Sequence, residues 1–296
     1  MQVDPRVLRR YEVDDEDERL WQPGRGDLLR MRTWDIFSRV LPGSGLVLDV
    51  GGGPGAHAAH LADDGYEVLT VDPLLRHSRK AADRSRAVPG TRLGVASAEA
   101  RSLPVRDGAV DVVLLMGPLY HLIGHDQRIA ALREARRCLQ PGGLLLAEMI
   151  TRHAWVLDAA TKDILEEPGI WQQFEHSMTT GLSLDPATDT GGGFFAYFHA
   201  IDDFRNELAE GDFGEIELIA VEGFGWLLSD LEERMANPDA LLRAIRLTER
   251  EPTMIGASAH VIATARRPNP PTSTSFGSRQ EAVRSHRRRP SPQVGG

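Results

Sequence analysis

Between Leu46 and Gly55 the chain reads Leu-Val-Leu-Asp-Val-Gly-Gly-Gly-Pro-Gly. An apolar run with β-branched residues stops at a cluster of glycines and a proline, and Ala56 to Asp64 then reads as a helix, so the stretch is strand, tight turn, helix. Gly51, Gly52, Gly53 and Gly55 let main-chain N–H groups approach a ligand with no Cβ in the way. The helix behind them adds partial positive charge. A second apolar run, Glu67 to Val71, ends at Asp72-Pro73, 21 residues beyond Gly51. At the carboxyl end of a neighbouring strand, a carboxylate there can accept both hydroxyls of a ribose; its rival role is to cap the helix Leu74 to Arg86. Tyr120 and His121 follow a fourth apolar run, Asp111 to Leu115. An imidazole there can take a proton from a hydroxyl or amine, or it can be a structural group bonded to a backbone carbonyl, and both readings stand.

The glycine spacing discriminates between two kinds of nucleotide cradle. A dinucleotide turn, G-x-G-x-x-G, needs its third glycine where this chain has Ala56. Here the order is Gly51-x-Gly53-x-Gly55 with Asp49 two residues ahead. This resembles the first motif of the class I S-adenosylmethionine-dependent methyltransferases, (Asp/Glu)-x-Gly-x-Gly-x-Gly. Further elements extend the resemblance. Glu99-Ala100-Arg101-Ser102-Leu103-Pro104 is similar to the family's Asp-Ala-x-x-Leu-Pro element, with Glu in place of Asp and Ser97 as an alternative alignment. Gly117-Pro118-Leu119-Tyr120-His121-Leu122 resembles a stretch found in a subset of small methyltransferases, and Leu139-Gln140-Pro141-Gly142-Gly143 resembles the turn before the fifth strand.

The resemblance covers Gly45 to Ile150 well and 201–267 in outline. It implies an α/β, Rossmann-like, seven-stranded, mostly parallel sheet whose last strand enters antiparallel next to the fifth, with S-adenosyl-L-methionine as cofactor and S-adenosyl-L-homocysteine as product. Cofactor contacts would come from Asp49, Gly51, Gly52, Gly53, Gly55, Asp72, Pro73, Glu99, Ala100 and Met116. Tyr11, Arg25 and Arg32, in the segment that often lies over the cofactor in such enzymes, would reach the methionine carboxylate, each with a structural role as its rival. Tyr120 and His121 would position or deprotonate the acceptor.

Positioning these groups requires alternating strands and helices. Arg25 to Leu41 is an amphipathic helix ended by Pro42-Gly43, Arg92 to Val95 a short third strand, Gln127 to Leu139 a helix with Arg128, Arg133, Arg136 and Arg137 outward, and Leu144 to Ile150 a fifth strand. Five strands alternating with helices imply a parallel sheet. Ile201 to Glu210 is a helix, Phe213 to Val221 a sixth strand, Trp226 to Met235 and Asp239 to Thr248 helices, and Ala259 to Ala265 a last strand. The expected organisation is an arm and lid helix at 1–44, a cofactor-binding core at 45–150, a substrate cap at 151–200, the rest of the core at 201–267 and a disordered basic tail at 268–296. The 151–200 segment loses periodicity and is rich in aromatics, with Gly191-Gly192-Gly193 as a flexible break. An aromatic cap excludes water and suits a sulfonium cation; an extra packing layer or dimer contact is the plain alternative.

Composition narrows the partners. Net charge is −9 with the arginines of the tail working against an acidic body, which disfavours a broad phosphate-binding surface. A small-molecule acceptor, with an aromatic or secondary-metabolite compound among the options, is therefore expected ahead of RNA; non-methyl chemistry on the same fold is the other alternative. The single cysteine, Cys138, excludes an internal disulfide and reads as core filler. His153, His176 and His199 are too widely spaced for a local metal motif, so no metal is expected. No run reaches membrane-span length and the first residues are acidic and polar, giving an expectation of a cytoplasmic monomer or homodimer.

Overall fold

The computed structural model describes residues 4–7, 11, 16–87, 90, 92–184 and 194–270. The flexible break expected at Gly191 to Gly193, residues 12–15 of the acidic N-terminal stretch and all but the first three residues of the expected tail lie outside these residues.

The strands form where apolar and β-branched residues run together. They are β1 (Leu46–Val50), β2 (Glu67–Val71), β3 (Leu93–Ala96), β4 (Val110–Leu115) and β5 (Leu139–Ile150), all parallel, joined by β8 (Gly214–Ala220) and β9 (His260–Arg266). The order is β3-β2-β1-β4-β5-β9-β8. As expected, β9 is the one strand antiparallel to its neighbours, inserted between β5 and β8. Strand order reverses between β1 and β4, and in open α/β sheets the crevice beyond the carboxyl ends at such a point receives the ligand.

Both sheet faces are covered, which is why Val112, Val113, Leu114 and Leu115 are apolar without alternation. One face packs α6 (His125–Cys138) and α9 (Ile201–Glu210) through Ile129, Leu132, Cys138, Phe204 and Leu208 against Leu48, Val113 and Leu145. The other packs α2 (Arg25–Val40) and α3 (Ala56–Asp63) through Ile36, Phe37 and Leu61 against Val47, Leu114 and Ile262. Cys138 is buried in the first layer. The remaining helices are α1 (Glu16–Arg19), α4 (Leu75–Ala87), α5 (Pro118–His121), α7 (Ala154–Thr161), α8 (Ile170–Thr180), α10 (Leu231–Met235), α11 (Asp239–Thr248) and α12 (Pro252–Ile255).

Three expectations are modified. Gln140 to Gly143 is a turn inside a longer strand: Leu139 already pairs with Val110 and Leu144 with Val112, so the intervening residues bulge out of the ladder. The helix expected over Trp226 to Met235 is broken into a 3-10 turn, Gly225–Leu227, and α10. The Trp226 indole donates to Ala257 O at 2.8 Å, which fixes the turn separately from the helix. Arg128, assigned to a solvated helix face, is buried.

The segment at 151–200 contains α7, α8 and the antiparallel pair β6 (Leu182–Leu184) and β7 (Phe195–Tyr197). It is tied to the core through Arg128, which donates to both Glu207 oxygens from α9, to Leu122 O at 3.0 Å and Ile123 O at 2.8 Å, and lies 3.7 Å from the centre of the Tyr197 ring. His199 completes the cluster through a 3.2 Å hydrogen bond between its Nε2 and Glu207.

Candidate active site

Beyond β1 the chain turns back over the end of β2. The N–H groups of Gly51 and Gly52 donate to Val71 O at 2.8 and 3.3 Å. Gly51 and Gly55 have φ of +69° and +85°, conformations costly for any residue with a Cβ. Gly52 is constrained by space: a Cβ there would lie 2.7 Å from Asp49 Cγ and overlap the Asp49 carboxylate and the Thr70 hydroxyl. The turn therefore rests directly on a buried acid.

Asp49 is fully buried; its Oδ2 accepts from Thr70 Oγ1 at 3.1 Å and its Oδ1 has no protein partner. Burial, with a smaller push from Asp72, moves its pKa up to about 7 against the Thr70 hydrogen bond. The unfolded carboxyl titrates at about 3.9, so the folded state holds the extra proton and loses stability as pH rises from about 4 through 7. Asp49→Asn is expected to flatten that part of the stability profile, measured by denaturant unfolding between pH 4 and pH 8. An unchanged slope would remove Asp49 as its source.

Asp72 serves two elements at once. Its Oδ2 accepts from Gly53 N at 3.0 Å, while Oδ1 accepts from Leu74 N at 2.8 Å and shares a 3.2 Å hydrogen bond with His77 Nδ1. The capping role is thus present, and the carboxylate also lines the cavity above the turn. Glu99 lines the same cavity; its Oε1 accepts from Arg101 Nε at 2.6 Å, and its buried Oε2 has no protein partner. Ser97, the alternative in that role, turns away and donates to Asp72 O at 3.2 Å.

The cavity holds about 380 Å³ and is bounded by Gly51 to Pro54, Asp72, Pro73, Glu99, Ala100, Met116, Tyr120 and His121. Asp4, Val7, Tyr11 and Leu20 close it from the N-terminal side. Tyr11 is the closest tie: its hydroxyl and His121 Nε2 share a 2.6 Å hydrogen bond, and its ring meets the edges of His77 and His121. Gly55 caps α3 behind the wall. Arg25 and Arg32 do not reach this cavity. Arg25 pairs with Asp158 of α7 and lies 5.2 Å from the Trp226 ring, whereas Arg32 is buried against Glu249, Asp35 and Val221 O. Both face the wrong way because α2 turns that side toward α11 and the 151–200 segment.

His57 was not singled out from the sequence, yet it lines the cavity from the first turn of α3. Its Nδ1 accepts from the Trp34 indole at 3.1 Å, and burial, reinforced by Arg19, pushes its pKa down to about 3. It is a neutral imidazole with its remaining nitrogen available as a donor. Its place directly behind the glycine turn was the available signal.

A second cavity, of about 510 Å³, lies between the 151–200 segment and the start of β9. Its walls are Ile150, Trp155, Phe194, Phe198 and Trp226, with Glu222 and His260 also on its lining. Arg19 borders both cavities, and Phe194 stands 6.3 Å from Tyr120 and 5.9 Å from His121, ring centre to ring centre, so the two adjoin. Among the described residues no group of His, Cys, Asp and Glu has the makings of a metal site, and no helix is long and apolar enough to cross a membrane.

Residues 48–147 match the family model of a methyltransferase domain. An uncharacterized methyltransferase of Mycobacteroides abscessus is 33% identical over 127 residues, 43% of each chain. A demethylmenaquinone methyltransferase of Beutenbergia cavernae is 30% identical over 154 residues, covering 50% of this chain and 57% of the relative. The chain spans roughly two fifths to three fifths of the length of these curated relatives. A solved structure of an S-adenosylmethionine-dependent methyltransferase from Methanosarcina mazei shares the fold, with a TM-score of 0.57 at 19% identity over 79% of this chain and 98% of that one.

Proposed function

We propose, for a chain whose residues 48–147 match the family model of a methyltransferase domain, that the whole protein transfers a methyl group from S-adenosylmethionine to a small-molecule acceptor. The carrying observation is a buried carboxylate oxygen without a protein partner, Glu99 Oε2, on the lining of a cavity whose glycine turn has no room for a side chain at Gly52. Buried polar atoms are normally satisfied, and an adenosyl ligand carrying an amino group suits both the cavity and this acceptor. In this reading Asp72 accepts from the ribose hydroxyls, Glu99 from the adenine amino group, and the Ala100 N–H serves a ring nitrogen. When bound, the cofactor supplies an electrophilic methyl carbon on a leaving group that departs neutral. The protein therefore needs no acid for the leaving group, and its task is to hold the acceptor in line in a water-poor pocket.

Tyr11, Tyr120 and His121 wall the side of the cavity that adjoins the second one. Their mutual contacts fix the His121 ring, whose place suits orienting or deprotonating an acceptor. A second cavity with aromatic walls supports a small acceptor rather than a nucleic acid. The name of the Beutenbergia relative supports an aromatic, quinone-type acceptor among the options.

Calorimetric titration with S-adenosylmethionine and S-adenosylhomocysteine, with NADH as control, tests the reading. Micromolar binding of the first two alone is the expected result, and binding of NADH alone would overturn it. Asp72→Asn preserves shape but removes the charge on bonds worth about 1.5–3 kcal/mol each. It is expected to weaken S-adenosylhomocysteine binding tenfold or more, and an unchanged affinity would remove Asp72 from the site.

A further inference from the structure

We propose that the second cavity is the acceptor pocket and that His260, held by Glu222, receives the proton of a phenol-type hydroxyl on the acceptor. This rests on the methyltransferase reading above.

The dyad is built by strand pairing. β8 runs antiparallel to β9 with Ala220 opposite Val261, and Val221 N donates to His260 O, which brings Glu222 beside His260. Glu222 Oε1 and His260 Nδ1 are 2.5 Å apart, and Glu222 Oε2 accepts from His260 N and Ser258 Oγ, both at 3.0 Å. The carboxylate is thereby fixed, and it presents the ring in one orientation. His260 Nε2 has no hydrogen-bond partner among the described residues, and the residue lines the cavity. A buried carboxylate behind a histidine whose far nitrogen is open to a pocket is an arrangement for proton exchange with whatever the pocket holds.

The surroundings select the acceptor. Trp155, Phe194, Phe198 and Trp226 offer ring surfaces to a planar apolar body. At the rim Arg25 and Lys162 are both engaged by Asp158, and among the aromatic walls His260 offers a ring nitrogen to a hydroxyl on such a body. The groups acting on the ring are Glu222, Glu148 of β5 and Arg19. Burial and Arg19 oppose a charged imidazole, but the two carboxylates outweigh them and raise its proton affinity. In the step itself the acceptor O–H bond breaks, an N–H bond forms at Nε2, and the electron pair stays on oxygen. The resulting imidazolium is balanced by Glu222, and the proton passes later to water. Glu222 acts through His260 and is a positioning residue.

The probe is 4-nitrophenol, whose phenolate absorbs in the visible, dialysed against the full chain with and without S-adenosylhomocysteine at a pH below the dye's own midpoint. The wild-type protein is expected to hold the dye as phenolate. His260→Gln is expected to bind it as the neutral phenol, lowering the phenolate fraction at least tenfold while S-adenosylhomocysteine affinity is unchanged. Glu222→Gln, which leaves the histidine in place, is expected to lower that fraction severalfold, and it carries the test if His260→Gln does not fold. Equal phenolate fractions in wild type and variants, or no dye retained by the wild type, would overturn the proposal. Failure of the wild type to bind S-adenosylhomocysteine would instead sink the methyltransferase reading, and the dye measurement without that ligand would still judge the pocket.

Discussion

Gly52→Ala is expected to lose S-adenosylhomocysteine binding by two orders of magnitude or more and to destabilise the fold by about 1–3 kcal/mol, the usual cost of forcing an atom into a packed site. The added methyl has nowhere to go. Asp49 is fully buried and Thr70 nearly so, and both lie directly under the Gly52 Cα, with Asp49 Cγ at 2.7 Å from the new carbon. Neither side chain can swing into solvent, so the turn itself must lift, which moves the Gly51 and Gly52 N–H groups off Val71 O and the Gly53 N–H off Asp72. Gly43→Ala is the matched control, because a Cβ there meets nothing within 4 Å. It is expected to stay within about 0.5 kcal/mol of wild type. Calorimetry for affinity and urea unfolding for stability read both effects, and equal affinity in Gly52→Ala and wild type would show that the turn does not touch the ligand.

Breaking the buried pair at Arg128 should have the largest effect on stability. Arg128→Met leaves Glu207 buried beside His199 without its main cation, a change that typically costs about 3–5 kcal/mol. For a chain of this size that corresponds to a fall in melting temperature on the order of 10 °C. Burial alone would raise the Glu207 pKa, but hydrogen bonds from His199 and Arg128 overcome it and hold it at about 2. Against an unfolded value of about 4.3, the folded state releases the proton more readily. The contribution to stability is therefore complete above about pH 4.3 and lost as pH falls toward 2. Thermal melts from pH 2.5 to pH 7 should show that acid limb in the wild type and its loss in Arg128→Met. A variant melting within about 1 °C of wild type at pH 7 would show that the network carries no load. The same substitution frees the carbonyls of Leu122 and Ile123, which follow His121, so ligand affinity is expected to fall along with stability.

The parts of this architecture that were legible in the sequence are those encoded locally. β1, β2 and α9 have the limits that their sequence predicts, because apolar runs and turn residues are adjacent in the chain. The antiparallel last strand follows from the family resemblance, and the tight turn over Gly51 to Gly55 from the glycine spacing. What escaped depends on contacts between distant segments. Arg128 looked like one of several outward arginines until α9 supplied Glu207, 79 residues away. Arg25 looked free to reach a carboxylate, but the rotation of α2 is set by α11 and the 151–200 segment, and nothing near Arg25 in sequence reports it. Glu222 and His260 were invisible for the same reason, since only the β8–β9 register makes them neighbours. His57 stands among Ala56, Ala58 and Ala59 at a helix start, and only its place behind the glycine turn marks it in the sequence.

The placing of β9 also governs how the chain must be made. β9 fills the gap between β5 and β8, and the register partners Ile150 and His260 are more than a hundred residues apart. Until that last strand arrives, β5 presents an open edge of unpaired N–H and C=O groups along the apolar stretch Leu144 to Ile150, the condition that invites pairing with a second chain. The glycine turn between β1 and β2 is complete long before that edge is sealed. A shortened chain ending before His260 would thus retain every residue of the glycine turn and still be an aggregation-prone sheet, so the smallest stable unit is expected to extend through β9, well beyond the residues that match the family model.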